Sequence, residues 1–349
     1  MTNLRLSKGV SYVVYILLLV IIAAFLFFSY YLFWRGGEKP LVVYCAHDSV
    51  YSESILKEFE KRTGIPVSIR FDTEATKSLG LTELLISEKE NPRCDVFWNN
   101  QLMGTLRLKK ERILLPYKGS GFERVPDSFK DSEGYWTGFA ARFRVYIINT
   151  EKFQPTEEAV EKALAKDLSY VAIAKPLYGT TLTHYTVLWH LWGAEKLKNW
   201  HNDWRTRGIK EVQGNATVKN LVAQGVCYLG LTDTDDFFVA KDEGKPVAML
   251  PCKLENGSTI CIPNTVCIIK GTKKISEAQQ LVDFLLSAEC ELSLANSKSR
   301  QIPLGNMDEA KLSKEVREMK KWVSSAYPIS SLEKEWQACL DWLKSEYLK

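Results

Sequence analysis

Three short apolar segments, LVVYC at residues 41–45, VSIRF at 67–71 and DVFW at 95–98, decide the fold of this chain. Between the first two segments apolar residues recur with helical spacing, and residues 79–87 form a second predicted helix before the third segment. A strand–helix–strand–helix–strand order is typical of a parallel, doubly wound sheet. The sequence therefore predicts an α/β fold.

Polar side chains follow each of these predicted strands. Ligands of doubly wound sheets bind outside the carboxyl ends of the strands, so these positions are expected to form one wall of a cleft. Strand ends are also polar simply because loops are solvated, which is the plainer alternative. The candidates at these ends are His47, Asp48, Glu74, Thr76, Asn99 and Asn100.

A second α/β unit begins near Arg144. Its predicted strands include residues 170–174 and 226–231, and a helix is predicted from about Thr183 through Trp192. Residues 260–269 then cross back toward the first unit. Two α/β lobes that are joined by two crossings, with polar loops facing each other, predict a clamp.

The second lobe supplies two further groups of candidates. Thr180, Thr181 and Thr183 crowd the start of the predicted helix, where hydroxyl groups and free backbone amides favour an anion. Helix capping alone is the alternative, and it accounts for one threonine. After the strand at 226–231 comes an acidic loop that contains Asp233, Asp235 and Asp236.

The 25 residues from Val10 to Trp34 carry no charge. At about 1.5 Å per residue, a helix of this length spans roughly 37 Å, which exceeds a hydrocarbon core of about 30 Å. A cleaved signal peptide is the alternative, but its apolar core usually has only about 7 to 15 residues. We therefore predict an uncleaved transmembrane anchor at 10–34, after a cytoplasmic tail at 1–9 and before a linker at 35–40.

The rest of the chain is long enough for two cores. The first lobe is predicted to comprise residues 41–142 plus 264–305, and the second residues 143–263 plus 306–349. The net charge of +4 is thinly spread, which argues against nucleic acid as a partner.

The eight cysteines form no CxxC pair, and the four histidines show no zinc spacing with them. A two-residue turn at Asn256-Gly257 would set Cys252 opposite Cys261 in a hairpin, at a distance that suits a disulfide. Two unrelated thiols are the alternative, because turn registers slip.

Several short motifs follow one another along the chain. They are DTEATK at 72–77, DVFWNN at 95–100, YWTGFAAR at 135–142, GLTDTDD at 230–236, IPNT at 262–265 and SRQIPL at 299–304. Their order and spacing resemble the ferric-iron-binding branch of the family 1 extracellular solute-binding proteins, and the resemblance covers nearly all of residues 41–305. It implies a receptor of an ABC importer, whose two lobes close on a ligand and deliver it to a membrane permease and its ATPase.

The resemblance also assigns roles to single residues. The tyrosine pair of the iron binders falls on Asp235 and Asp236, the usual histidine falls near His47-Asp48, and Arg142 matches an arginine that holds a synergistic anion. His47, Asp235 and Asp236 are thus the candidate metal ligands, and Gly179, Asp233 and Asn264 complete the expected ligand-binding set. Carboxylates are hard oxygen ligands that suit several cations, and they also accept hydrogen bonds from hydroxyl groups.

Three functions remain open from the sequence. The first is a receptor for ferric iron or an iron complex with a synergistic anion, in which iron is the transported ligand and not a cofactor. The second is a receptor for an organic phosphate, such as a sugar phosphate or phosphonate, held by Arg142 and the threonines. The third is an anchored enzyme, but the sequence contains none of the usual catalytic motifs. Cys45 could serve as a nucleophile, and a buried inert thiol is the more common role of such a residue. The expected location is the periplasm, anchored to the inner membrane.

Overall fold

The computed structural model describes residues 8–35, 39–72 and 78–348. The chain divides into two compact units, residues 1–40 and 41–349. In the first unit, Lys8–Arg35 forms helix α1, and its side chains from residue 16 to residue 30 are exposed. Across the described residues, no helix combines the length and the apolar character that a membrane span needs.

The second unit contains one mixed sheet. Within the described residues its strand order is β2-β1-β3-β10-β5-β8-β6-β7, with β4 paired to β10 and β9 paired to β5. The strands are β1 (Leu41–Cys45), β2 (Val67–Phe71), β3 (Val96–Asn99), β4 (Leu114–Leu115), β5 (Thr137–Asn149), β6 (Val171–Ala174), β7 (Lys210–Val212), β8 (Leu229–Asp233), β9 (Val247–Pro251) and β10 (Cys261–Ile269).

The helices connect these strands and cover the sheet. They are α2 (Ser49–Thr63), α3 (Leu79–Ser87), α4 (Met103–Lys110), α5 (Glu157–Leu164), α6 (Gly179–Thr206), α7 (Asn215–Ala223), α8 (Thr234–Asp242), α9 (Ile275–Leu285), α10 (Ala288–Ala295), α11 (Lys314–Lys320) and α12 (Glu333–Tyr347), with single 3-10 turns between some of them.

The sheet confirms the α/β class and contains two long antiparallel strands besides the predicted parallel ones. The β1–β2, β1–β3, β6–β7 and β6–β8 pairs are parallel, as expected. The long strands β5 and β10 instead run antiparallel to each other and to their neighbours. They are the two predicted crossings, so each half of the sheet is parallel inside and the halves meet on an antiparallel pair.

Two features place β5 at the centre of the molecule. Its first half pairs with β10, where Ile262 lies opposite Arg142, and its second half pairs with β8, where Asp233 lies opposite Arg144. A register shift between Ile262 and Asn264 disturbs the β5–β10 ladder beside Arg142. Both arginines therefore lie at the point where the two halves of the sheet join.

The predicted Cys252–Cys261 disulfide is wrong. All eight cysteines lie within the described residues, and each is a buried free thiol. Lys253 bridges to Thr259, and the Leu254 amide bonds the Ser258 carbonyl, so the turn contains three residues and not two. This slip of one residue removes Cys261 from the position opposite Cys252, because neighbouring strand residues face opposite sides.

Candidate functional site

A cavity of about 90 Å³ lies at the junction of the two sheet halves. Asp48 and Asn100 line it from the first half, and Arg142 lines it from β5. Nine of the fourteen residues that the sequence singled out as ligand-binding candidates thus meet around one space. They are Asp48, Asn100, Arg142, Gly179, Thr180, Thr181, Asp233, Asp235 and Asp236.

Three helices begin at this cavity. Residues at the first turns of α6, α7 and α8 all line it. The first turns of α6 and α7 contain no acidic side chain, whereas Asp235 and Asp236 occupy the first turn of α8. Unsatisfied amides and the helix dipole give a helix N-terminus a partial positive charge, so the α6 and α7 side of the cavity favours an anion.

Asp233 is the most heavily bonded group of the site. One carboxylate oxygen lies 2.7 Å from Arg144 NH1. The other accepts hydrogen bonds from Thr180 Oγ1 at 2.7 Å and from Asn215 Nδ2 at 3.0 Å, and lies 3.3 Å from Arg142 Nε. Burial opposes ionisation of Asp233, yet the two arginines outweigh it and lower the pKa of this carboxyl. Asp233 is therefore a fixed anion that holds both guanidinium groups.

Two buried polar atoms remain unused at the cavity. Arg142 NH2 donates to the Asn100 carbonyl at 2.8 Å, which ties β5 to the first half of the molecule. Arg142 NH1 and Asn100 Oδ1 have no hydrogen-bond partner among the described residues, although both side chains are at least 96% buried. Buried polar groups are rarely left unpaired, so these two atoms are candidates to contact a ligand in this cavity.

The acidic side of the cavity is compact. Ligand atoms of Asp233, Asp235 and Asp236 lie within 4.8 Å of one another, which is close enough to hold one metal ion. Asp236 accepts a hydrogen bond from Thr232 at 2.7 Å. Burial, and then the neighbouring charges of Asp235 and Asp233, raise the pKa of Asp236 well above its usual range. The raised pKa favours the protonated, neutral form of Asp236.

Three of the other five candidates do not line this cavity. His47 is not part of the acidic cluster: its ring stacks on Trp98 and Tyr51, and its Nε2 lies 2.8 Å from Gln301 Nε2. Asn99 and Asn264 bond inside the first half of the molecule, Asn99 to Ser78 and Asn264 to Gln301. Glu74 and Thr76 fall outside the described residues.

The structure adds lining residues that the sequence did not single out: Ala174, Lys175, Tyr178, Gln213, Gly214, Asn215 and Ala216. Lys175 and Tyr178 follow β6, and Gln213–Ala216 follows β7. The strand-end rule extends to the loop after β6. It misses the loop after β7 because this strand has only three residues, KEV, which carry almost no apolar signal in the sequence.

Comparison with known proteins identifies the family. The sequence profile described as "Bacterial extracellular solute-binding protein" matches residues 54–321. This chain belongs to that family. It is thus a solute-binding protein of the kind that serves ABC importers, as the motifs indicated.

Individual relatives are distant. "Iron uptake protein A1" of Synechocystis is 22% identical over 276 residues, which cover 75% of each chain. Iron-bound HitA from Pseudomonas aeruginosa has a TM-score of 0.73 at 20% identity, covering 88% of this chain and 99% of its own. AfuA from Actinobacillus pleuropneumoniae, solved with fructose-6-phosphate, has a TM-score of 0.70 at 20% identity, covering 88% of this chain and 98% of its own. These likenesses show the two-lobed fold of periplasmic binding proteins. The two solved structures contain different ligands, iron in HitA and fructose-6-phosphate in AfuA.

Proposed function

We propose that this solute-binding protein binds a ferric ion together with a small oxyanion and delivers the pair to a permease and its ATPase. The observation that carries the proposal is the division of the cavity into two sides. Asp235 and Asp236 form an acidic side, and the starts of α6 and α7 form an anion-binding side. A metal ion and its synergistic anion need both kinds of surface at once.

The size of the cavity supports this ligand. An engineered cavity of about 150 Å³ is filled by benzene alone. At about 90 Å³, the cavity is smaller than that, which favours a metal ion with carbonate or phosphate over a hexose phosphate.

The charges favour the same pair. Four carboxyl groups line the cavity, from Asp48, Asp233, Asp235 and Asp236, against two cationic side chains, Arg142 and Lys175. Counting Arg144, which pairs with Asp233, four carboxyl groups face three cationic side chains, so a single anionic ligand would add to an excess of acidic groups. A trivalent cation offsets this excess, and its oxyanion can then accept from Arg142 NH1.

A receptor for an organic phosphate is the second candidate, and one observation favours it. Asp235 and Asp236 stand where iron binders of this branch have two tyrosines, and Tyr178 is the only phenol among the described lining residues. Carboxylates accept hydrogen bonds from sugar hydroxyl groups, while the α6 and α7 amides hold the phosphate. AfuA shows that this fold occurs with a sugar phosphate bound.

Calorimetric titration of the metal-free protein separates the two candidates. We expect ferric citrate to bind in the presence of carbonate or phosphate, and fructose 6-phosphate to bind at least 100-fold more weakly. Arg142→Ala should weaken the iron complex by roughly 2–5 kcal/mol, which is typical when one partner of a buried charge pair is truncated. Arg300→Ala, which breaks an exposed pair with Asp242, is the matched control. Tight binding of the sugar phosphate without any binding of iron would reverse the assignment.

The remaining predictions concern location and chemistry. We place the body in the periplasm and, from residues 10–34, expect it to be anchored to the inner membrane. N-terminal sequencing of the protein from membranes tests the anchor, because a mature terminus after Trp34 would rule it out. We also propose that the protein transports and does not catalyse, as expected for this family.

A further inference from the structure

A second cavity lies in the second lobe, away from the residues that line the cleft. Its volume is about 420 Å³, within the range of about 300–1,000 Å³ that is usual for small-molecule sites. Its walls are mainly apolar and aromatic, and we call it the aromatic pocket. Trp192, Trp200, Trp204, Leu188, Tyr146 and His184 define it.

A bend in α6 creates the aromatic pocket. Gly193 interrupts the helix with φ 77° and ψ 164°, so the helix continues in a new direction. Trp192 before the bend lies 5.6 Å from Trp200 after it, and Trp200 lies 4.0 Å from Trp204, measured between ring centroids. The inner corner of the bend is thus covered by three indole rings, which offer flat surfaces for an aromatic ring to stack on.

The floor of the pocket is polar and unsatisfied. His184 lines the pocket and is 7% exposed, and its Nδ1 has no hydrogen-bond partner among the described residues. Arg144 is fully buried, and its Nε and NH2 are likewise without partners in the described part of the chain. Buried groups of this kind normally bond to a ligand or to ordered water.

Arg144 lies close to this floor. Its NH1 is 3.3 Å from Thr180 Oγ1, and Thr180 and His184 are one turn apart on the same face of α6. The Arg144 carbonyl accepts a hydrogen bond from the amide of Cys252, another residue of the pocket wall. Burial, and then the charge of Arg144, lower the pKa of His184 to about 3. The imidazole is therefore neutral at neutral pH, and the positive charge at the floor comes from the arginine.

Among the described residues that line the pocket, no acidic side chain is free to pair with Arg144. Glu255 is the only acidic side chain among the lining residues, and it already accepts from Trp192 Nε1 at 3.0 Å and from Lys196 at 3.3 Å. Arg207 and Lys253 also line the pocket, and each already pairs with an acidic side chain, Asp203 and Glu157 respectively. The pocket thus combines aromatic walls with buried nitrogen atoms that lack partners among the described residues, next to a guanidinium group, that of Arg144, which shares its carboxylate partner with Arg142.

We propose that the aromatic pocket binds a small aromatic carboxylate, with its ring against the indoles and its carboxylate toward His184 and Arg144. The site is separate from the cleft ligand, and the inference does not depend on whether the cleft takes iron or a phosphate. An aromatic side chain of a partner protein is the alternative occupant. If the pocket served only that purpose, a free aromatic carboxylate would not bind to it.

Fluorescence and calorimetric titration of the full-length protein with 2-naphthoate test the proposal. We expect quenching of tryptophan emission with one site per chain. The uncharged 2-naphthamide should bind about tenfold more weakly or worse, since it cannot pair with the buried charge. Leu191→Trp at the pocket mouth should abolish binding, and His184→Leu should weaken it about tenfold.

Two controls keep the result specific. Trp189 packs on Trp342 and does not line the pocket, so Trp189→Phe should leave the affinity for naphthoate unchanged. Asp236→Asn alters the cleft alone and should also leave it unchanged. The proposal is wrong if naphthoate does not bind at millimolar concentration, if naphthamide binds equally well, or if folded Leu191→Trp protein retains the site.

Discussion

Asp236 is the residue whose protonation distinguishes the two candidate ligands. Its carboxyl is half-buried beside Asp235 and Asp233, and these surroundings hold its pKa well above the usual range. A raised pKa in the folded state means that Asp236 favours folding at low pH, and this contribution is lost as the pH rises through the folded-state pKa. A metal ion that binds the carboxylate must displace the proton. The affinity for the metal should therefore increase as the pH rises.

We predict that ferric binding releases protons from this cluster, because the raised pKa of Asp236 favours its protonated form. Calorimetry in two buffers of different ionisation enthalpy measures the number directly. Asp236→Asn should abolish the release and weaken binding, whereas Asp242→Asn at the far end of α8 should change neither. Binding of the true ligand with no proton release would show that Asp236 keeps its proton and accepts no metal.

At the scale of single elements, the residues after a strand were predictable and their side-chain directions were not. Asp48 and Asn100 follow β1 and β3 and line the cavity, as the strand-end rule predicts. Asn99, one residue before Asn100, is the last residue of β3 and turns into the core to bond Ser78. Successive side chains of a strand point to opposite faces, and this alternation decides which of two neighbours faces the cavity. Where both neighbours are polar, the sequence does not show which of them points to the cavity.

Helix α6 is a second element that the sequence predicted only in part. The sequence predicted a helix that ends near Trp192, and the structure has a bend at Gly193 followed by a second helical stretch to Thr206. A glycine after an apolar run resembles a helix end, because a C-terminal glycine is the usual stop signal. The tertiary contacts among Trp192, Trp200 and Trp204 keep the chain helical beyond it.

Gly193→Ala is predicted to destabilise the folded body by about 1–3 kcal/mol. The backbone at φ 77° and ψ 164° is a conformation that residues with a Cβ adopt only under strain. No atom lies within 4 Å of the added methyl group, so the effect comes from the backbone and not from a clash. Urea unfolding followed by circular dichroism measures it, with the neighbouring Ala194→Ser as a control in ordinary helix. An unchanged midpoint for Gly193→Ala would contradict the strained bend.

At the scale of the whole molecule, the carboxyl-terminal segment contacts both halves. Residues 306–349 were assigned to the second lobe from the sequence. Helix α12 does pack on α6, with Trp342 5.8 Å from Trp189, but Glu333 also pairs with Lys110 of α4 at 2.9 Å. The sequence of an amphipathic helix shows which of its faces is buried, but it does not show which element packs on that face. The position of α12 between the two halves could therefore not be predicted.

The central claim is that one cavity holds a metal ion on Asp235 and Asp236 and an oxyanion at the starts of α6 and α7. Crystals grown with ferric citrate and phosphate, with diffraction recorded on both sides of the iron absorption edge, test it most directly. We predict an anomalous peak within coordination distance of both aspartates, and tetrahedral or trigonal density beside Thr180, Asn215 and Arg142 NH1. A hexose phosphate in that position with no anomalous peak, from crystals offered both ligands, would contradict the account.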